Sequence, residues 1–105
     1  MGSAIEVTVS AHWINSWFLR ALTIPILTVD GTERALSWRQ PFRLSVEPGQ
    51  HRVAVGVRYR GFAAVLGQEP ITAQVAAETT VRLRAKNGPL NSDPFRITAV
   101  GIDTE

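Results

Sequence analysis

The sequence predicts an all-β fold, a single small β-sandwich that spans residues 1–105 as one domain. Apolar and polar residues alternate in short runs, which is typical of strands that bury one face. Turn residues separate these runs at close intervals, as in a sheet protein with many short strands. No segment keeps a helical period over the length of an ordinary helix. We therefore expect about seven or eight mostly antiparallel strands, and helix limited to one or two turns.

The first three strands are predicted from two patterns and one turn. Residues 4–11 read "AIEVTVSA", with aliphatic residues on one face and polar residues on the other. Residues 22–29 read "LTIPILTV" and are apolar on both faces, but Pro25 lacks a ladder donor, which favours an edge strand or a bulge. Asp30 and Gly31 predict a tight hairpin into the next strand, because glycine tolerates the positive φ that such turns require.

Two strands and a turn follow in the middle of the chain. Residues 41–46, "PFRLSV", alternate as a strand, and Pro48 with Gly49 then favours a turn. Residues 51–60, "HRVAVGVRYR", give the clearest alternation, with valines on one face and arginines on the other. His51 has the same parity as the valines and follows the turn. We expect it to be partly buried and to bond the turn backbone.

The last third of the chain predicts a loop, a hairpin and a closing strand. Residues 61–67, "GFAAVLG", are bounded by glycines and predict a loop. Residues 69–86 predict a hairpin with its turn at residues 77–78, residues 87–94 a second loop, and residues 95–100 the final strand. The side chains expected to point inward are Ile5, Val7, Val9, Phe42, Leu44, Val46, Val53, Val55, Val57, Tyr59, Ile71, Ala73, Val75, Val81, Leu83, Ala85, Phe95 and Ile97. We expect the sandwich to be of the immunoglobulin-like or transthyretin-like type.

The composition limits the classes of protein. Hydrophobic residues make up 45% and charged residues 19% of the chain, which is typical of a globular domain. Ten of the eleven basic residues are arginine, and the net charge is only +2. Arginine can recognise phosphate or carboxylate, but the coding bias of a GC-rich genome produces the same enrichment, and we favour the bias. The absence of cysteine excludes disulfides, thiol nucleophiles and thiolate metal ligands.

No membrane insertion is expected. The apolar run at residues 17–29 is too short to span a bilayer and contains Arg20 and Pro25. The first residues, "MGSAIEV", lack the features of a secretory signal. The protein would therefore be cytoplasmic if the chain is complete, and the sequence otherwise leaves localisation and oligomeric state open.

Catalytic chemistry is not expected. His12 and His51 are the two histidines, and neither has a recognisable partner that would complete a nucleophile and base pair. There is no nucleophile-elbow motif, no glycine-rich phosphate loop and no metal-ligand spacing. We therefore predict a protein that is not an enzyme, with no cofactor and no metal.

Two strands carry outward-facing cations. Arg52, Arg58 and Arg60 share one strand face, and Arg82, Arg84 and Lys86 share another. If these strands paired, six cations would lie on one surface, which could bind a polyanion. We favour the alternative that this is a solvated sheet face, because the net charge is small and stacking aromatic residues are absent beside the cations.

The segment at residues 12–26 contains Trp13 and Trp17, either of which could be a binding residue or part of the core. Exposed, they could stack on a carbohydrate or anchor a partner protein. Buried with Trp38 and Phe42, they would close one end of a core built from small side chains. We expect at least two of the three tryptophans to be buried, with Trp13 or Trp17 as the exception.

The middle of the chain resembles the PEGA family and related small β-sandwich modules of bacterial surface and regulatory proteins. The pattern comprises Asp30-Gly31, Pro48-Gly49 followed by His51, the valine strand 53–57, and Gly61-Phe62. It also resembles domains appended to actinobacterial proteins. The resemblance implies a non-enzymatic interaction or accessory module with a protein partner. The alternative is a module that binds carbohydrate or polyanion through exposed tryptophan and an arginine-rich sheet face.

Overall fold

The computed structural model describes residues 2–12, 16–88 and 94–104, which form eight strands and one short helix. The elements are β1 (Ser3–Ser10), α1 (Ser16–Leu22), β2 (Thr23–Val29), β3 (Thr32–Ala35), β4 (Phe42–Val46), β5 (Gly49–Tyr59), β6 (Ile71–Val75), β7 (Thr79–Lys86) and β8 (Arg96–Thr104). The helix has seven residues, about two turns. The expectations of an all-β fold and of helix limited to one or two turns are confirmed for this part of the chain.

The strands form two sheets of four. One sheet has the order β4-β1-β7-β8 and is called here the β1 sheet; the other has the order β3-β2-β5-β6 and is called the β5 sheet. Strands β1 and β7 run parallel, with Ser10 level with Lys86. The other pairs are antiparallel, so the expectation of mostly antiparallel strands is confirmed.

The two sheets share one hydrophobic core. Ile5 and Val7 of β1 and Val53 and Val55 of β5 are fully buried and belong to a single cluster, which Phe95 joins at 2% exposure. Burial of apolar surface contributes roughly 25 cal/mol for each Å² removed from water, so this cluster is the main source of stability in a chain without cysteine. Two four-stranded sheets around one core are consistent with a β-sandwich.

The predicted hairpin at Asp30 and Gly31 is present. Val29 pairs with Thr32, so the two residues between them form the turn. Both have positive φ, 51° at Asp30 and 87° at Gly31, which is the conformation of the two-residue turns that match strand twist. The dipeptide therefore fixes the register of β2 against β3.

The predicted place of Pro25 is wrong, because β2 is an interior strand and its pairing with β5 shows no register shift. The carbonyl of Pro25 accepts a hydrogen bond from Leu36 N at 2.8 Å, just beyond the last residue of β3. In an antiparallel ladder the nitrogen and carbonyl of one residue face the same neighbour. The nitrogen of Pro25 therefore faces the segment just after β3, where no ladder hydrogen bond is needed. The hydrogen bonds between β2 and β5 are not affected.

The predicted hairpin at residues 69–86 is also wrong, although its turn is placed correctly. Strand β6 joins the β5 sheet and β7 joins the β1 sheet, so the chain crosses from one sheet to the other at residues 76–78. Glu78 has a φ of 57°, and Thr79 Oγ1 donates to Ala76 O at 2.7 Å. Both strands point alternate side chains into the core whether the turn between them stays in one sheet or crosses to the other. The sequence pattern therefore does not distinguish the two arrangements.

The loop after β5 covers part of the outer face of the β5 sheet. Val57 exchanges both main-chain hydrogen bonds with Leu66, at 2.9 and 2.8 Å. A Cβ at Gly56 would lie 2.5 Å from the Leu66 carbonyl oxygen, so only glycine allows the loop to approach this closely. Ile26, level with Gly56, is consequently 2% exposed on what would otherwise be an outer face.

Candidate functional site

Helix α1 turns its tryptophan, Trp17, away from the core. Leu19 is 1% exposed and belongs to the core cluster, which sets the rotation of the helix. Trp17 lies two residues earlier, about 200° around the helix, and is 73% exposed. A core role for Trp17 is therefore wrong, and Trp17 is an exposed exception of the kind the sequence analysis allowed. Trp13, the other candidate binding residue in this segment, lies outside the described residues.

Trp38 does take the predicted place against the core. It is partly buried, packs against the core cluster, and its ring centroid lies 6.0 Å from that of Phe95. Phe42 packs against the same cluster. The aromatic residues that close the core thus come from the segment after β3 and from the approach to β8.

Aromatic and aliphatic side chains, of which Phe18 and Tyr59 are partly buried against the core, form a connected surface at the end of the molecule that carries α1. The Phe18 ring lies edge-on to its neighbours, with centroids 6.0 Å from Trp17 and 6.4 Å from Tyr59. Phe62 is 71% and Leu66 52% exposed, and both line one cavity with Tyr59. We call these five residues the aromatic surface.

The cavity in the aromatic surface is apolar. Its volume is about 290 Å³, and it is lined by Tyr59, Phe62, Ala64 and Leu66. Main-chain hydrogen bonds hold the loop around it, including Phe62 N to Tyr59 O at 3.0 Å. This backbone bonding places the cavity at a fixed position beside α1.

Arg58 near the end of β5 and Arg60 just after it hold the neighbouring segments in place. Arg58 forms an ion pair with Glu33 at 2.6 Å, and its Nε donates to Ala63 O at 3.0 Å. Arg60 Nε donates to Ala21 O at 3.3 Å at the end of α1. These two candidate binding residues therefore act first as supports for the helix and loop that carry the aromatic surface.

The surface of six cations that pairing of these two strands would create is not formed. Strand β5 lies in one sheet and β7 in the other, so their outward residues face opposite sides of the shared core. The first group is Arg52, Arg58 and Arg60, and the second is Arg82, Arg84 and Lys86. The surface depended on a pairing that does not occur, whereas the outward parity of both groups is correct.

The cations of β7 differ in their partners. Arg82 Nε lies 3.1 Å from Asp103 Oδ2. Arg84 and Lys86 have no ion pair within the described ranges, and Lys86 lies beside Arg96 at a cavity of about 400 Å³. Positive charge on the outer face of the β1 sheet is therefore least neutralised where β7 ends.

A hydrogen-bonded cluster closes the opposite end of β5. His51 Nδ1 lies 2.5 Å from Asp30 Oδ2, and His51 Nε2 lies 2.5 Å from Glu47 O. Asp30 Oδ1 also accepts from Arg52 N at 2.9 Å. The predicted partial burial of His51 and its bond to the turn backbone are confirmed.

This cluster shifts two pKa values. The hydrogen bond to Asp30, followed by that to the Glu47 carbonyl, raises the pKa of His51. The hydrogen bond from His51, followed by that from Arg52 N, lowers the pKa of Asp30. Because the carboxylate and the carbonyl can only accept, both ring nitrogens must carry hydrogen, and the geometry favours the imidazolium form.

Sequence reasoning missed four of the five members of the aromatic surface. Tyr59 was expected to point inward, and Phe18, Phe62 and Leu66 were not singled out as binding residues, because apolar residues in a short helix or a loop carry no strand parity that distinguishes inside from outside. One signal was available: Phe62 follows Gly61 in a loop bounded by glycines, where a large apolar side chain has no strand face to enter.

Within the described residues, no group of three or more histidine, aspartate or glutamate side chains is arranged to hold a metal ion. The helix found there is too short to cross a membrane. No family model, curated protein or solved structure matches the chain.

Proposed function

We propose that this protein is a non-enzymatic interaction module that binds a protein partner through the aromatic surface. The observation that carries the proposal is the continuity of apolar side chains from Trp17 to Leu66, three of them more than half exposed. Large contiguous apolar patches are uncommon on monomers and mark sites of interaction. Tryptophan and tyrosine are also the residues that most often dominate binding energy at interfaces.

The charges near the aromatic surface favour an acidic partner. Arg20 lies exposed on α1, and Arg60 is exposed beside the end of the same helix. A partner that presents apolar side chains flanked by carboxylates would match both features. The apolar cavity lined by Tyr59 and Phe62 would take one side chain of that partner.

The proposal also covers the type of β-sandwich and the family resemblance. Two four-stranded sheets with a common core and a hairpin at Asp30-Gly31 support a β-sandwich of the immunoglobulin-like or transthyretin-like type. Together with the resemblance to PEGA modules, this supports an accessory domain of a bacterial protein. In that role the domain supplies a docking surface and no chemistry.

Site-specific photocrosslinking tests the proposal. Benzoylphenylalanine is placed at position 17 or 62 in cells that express the protein, and at position 102 as the control. Ile102 is 65% exposed and apolar but lies on β8, outside the aromatic surface. We expect one acidic protein to crosslink at positions 17 and 62 and not at position 102.

The affinity of that purified protein is then measured by calorimetry. Trp17→Ala and Phe62→Ala should each weaken binding roughly 30-fold, the effect of an interface hot spot, while Ile102→Ala should not. Equal affinity for all variants would contradict the proposal. A glycan array gives the other decisive result: carbohydrate binding that Trp17→Ala abolishes would establish the carbohydrate alternative instead.

A further inference from the structure

The last residue of β7 and the first residue of β8 bring two cations together. Lys86 and Arg96 are directly opposite each other in the antiparallel pair. Side chains in this relation start about 5 Å apart, and like charges so placed destabilise a sheet. Glu69 Oε2 lies 3.7 Å from Arg96 Nε, a long contact between side chains that are 48% and 78% exposed. That carboxylate does not contact Lys86, so the pair keeps a net positive charge.

A buried amide lies next to this pair. Asn87 is 4% exposed, and its Oδ1 accepts a hydrogen bond from His12 N at 2.7 Å. Because a backbone N–H can only donate, the oxygen must face His12, and Nδ2 must point elsewhere. Nδ2 has no hydrogen-bond partner among the described residues. A buried donor without an acceptor is costly and indicates that an acceptor belongs there.

These groups line one cavity. Its volume is about 400 Å³, and the described residues around it are His12, Lys86, Asn87, Gly88, Pro94 and Arg96. This size lies in the lower part of the range for sites of small ligands. The lining combines Lys86 and Arg96, of which Arg96 also contacts Glu69, with Asn87, whose buried Nδ2 lacks an acceptor.

We propose that this cavity binds the phosphate group of a small ligand, with Lys86 and Arg96 as counter-charges and the Asn87 amide as a hydrogen-bond donor. A phosphate monoester carries a charge between about −1.5 and −2 at neutral pH, which matches the two cations. Its oxygens accept hydrogen bonds and supply the acceptor that Asn87 Nδ2 lacks. The site does not include the aromatic surface and does not rest on the proposed protein partner.

Phosphate titration followed by nuclear magnetic resonance tests the proposal. Sodium phosphate is added to ¹⁵N-labelled protein, with chloride adjusted to keep the ionic strength constant. We expect saturable shifts at the backbone amides of residues 86–88 and 96 and at the Asn87 side-chain amide. Shifts that rise linearly, or that spread over all arginines, would overturn the proposal.

Matched variants make the result specific. Lys86→Gln should weaken phosphate binding about tenfold, because a charge-assisted contact is lost. Arg84→Gln removes an exposed cation two residues earlier on the same strand face and should leave the affinity unchanged. Equal affinity for the two variants would contradict the proposal. Trp17→Ala should not alter the titration, so failure of the partner proposal and failure of this one are separable.

Two further measurements complete the experiment. Asn87→Asp keeps an acceptor for His12 N but adds a negative charge, and it should abolish the shifts while the spectrum remains that of the folded protein. Persistent binding in that variant would overturn the role of Asn87. Glycerol 3-phosphate then distinguishes the source: tighter binding than inorganic phosphate supports a phosphorylated organic ligand, and equal binding supports the free anion.

Discussion

The two ends of the β5 sheet are built differently. At the end where β5 begins, the ring of His51, the carboxylate of Asp30 and the carbonyl of Glu47 satisfy one another. At the end where β5 finishes, Trp17 and Phe62 expose more than 70% of their area. At the His51 end, polar contacts hold the chain in place. At the Trp17 end, apolar side chains remain exposed to solvent.

This difference separates stability from binding within a small domain. The core closes with Phe95 and Trp38, and α1 adds the buried Leu19 and the partly buried Phe18, which packs against it. The remaining aromatic residues of α1 and of the loop after β5 are supported from below by Arg58 and Arg60. We infer that substitutions of Trp17 and Phe62, the most exposed members of the aromatic surface, affect binding, whereas substitutions of Phe18 and Tyr59, which pack against the core, also affect folding.

The largest expected effect contrasts two phenylalanines near the same end. Phe95 is 2% exposed, and its N donates to Gly67 O at 2.7 Å, whereas Phe62 is 71% exposed. Phe95→Ala should lower the free energy of unfolding by about 3 to 5 kcal/mol, as expected when a buried aromatic site is emptied. Phe62→Ala should change it by about 0.5 kcal/mol or less.

Urea unfolding followed by circular dichroism checks this contrast. The two variants remove the same atoms, so intrinsic side-chain properties cancel in the comparison. Similar losses of stability in both would show that the loop after β5 is part of the folding core and would break the distinction between the two ends.

The second prediction concerns the pH dependence of the polar end. The His51 pKa is raised from 6.5, so its contribution is complete below pH 6.5 and is lost as pH rises through the folded value. The Asp30 pKa is lowered from 3.8, so its contribution is present above pH 3.8 and is lost as pH falls through the folded value. The cluster therefore stabilises the fold most between these two values.

Thermal unfolding of His51→Gln should show this window. The difference in Tm between the wild-type protein and the variant should be larger at about pH 5.5 than at about pH 8.5, because only the imidazolium form donates to both acceptors. His12→Gln is the control for general effects of histidine loss. A Tm difference that does not change with pH would mean that His51 acts only through packing.

The sequence predicts the strands well because alternation is a local property. Val53, Val55 and Val57 face the core, and Asp30-Gly31 makes the hairpin, since both features depend on residues close together in the chain. Assignment of β6 and β7 to sheets failed because a turn within one sheet and a crossing between sheets have the same parity.

The aromatic surface was harder to predict for a related reason. Exposure of Trp17 depends on which side of a two-turn helix meets the core, and Leu19 decides this only once the sheets are in place. The cavity beside Lys86 requires β7 and β8 to be adjacent, which pairs Lys86 with Arg96. Both features are products of tertiary contacts between distant segments.

The smallest expected effect is that of Trp17→Ala on stability, and it completes the comparison with the buried aromatic residues. Trp17 contacts Phe18 by an edge but is 73% exposed, so its loss should change the free energy of unfolding by no more than about 0.5 kcal/mol. The part of the wild-type emission that is lost in Trp17→Ala should be readily quenched by iodide. The emission of Trp38, which packs against the core, should be blue-shifted and poorly quenched. Stability is followed by circular dichroism, because the substitution removes part of the fluorescence. A loss as large as that of Phe95→Ala would mean that Trp17 is covered in solution and that the aromatic surface belongs to the folded core.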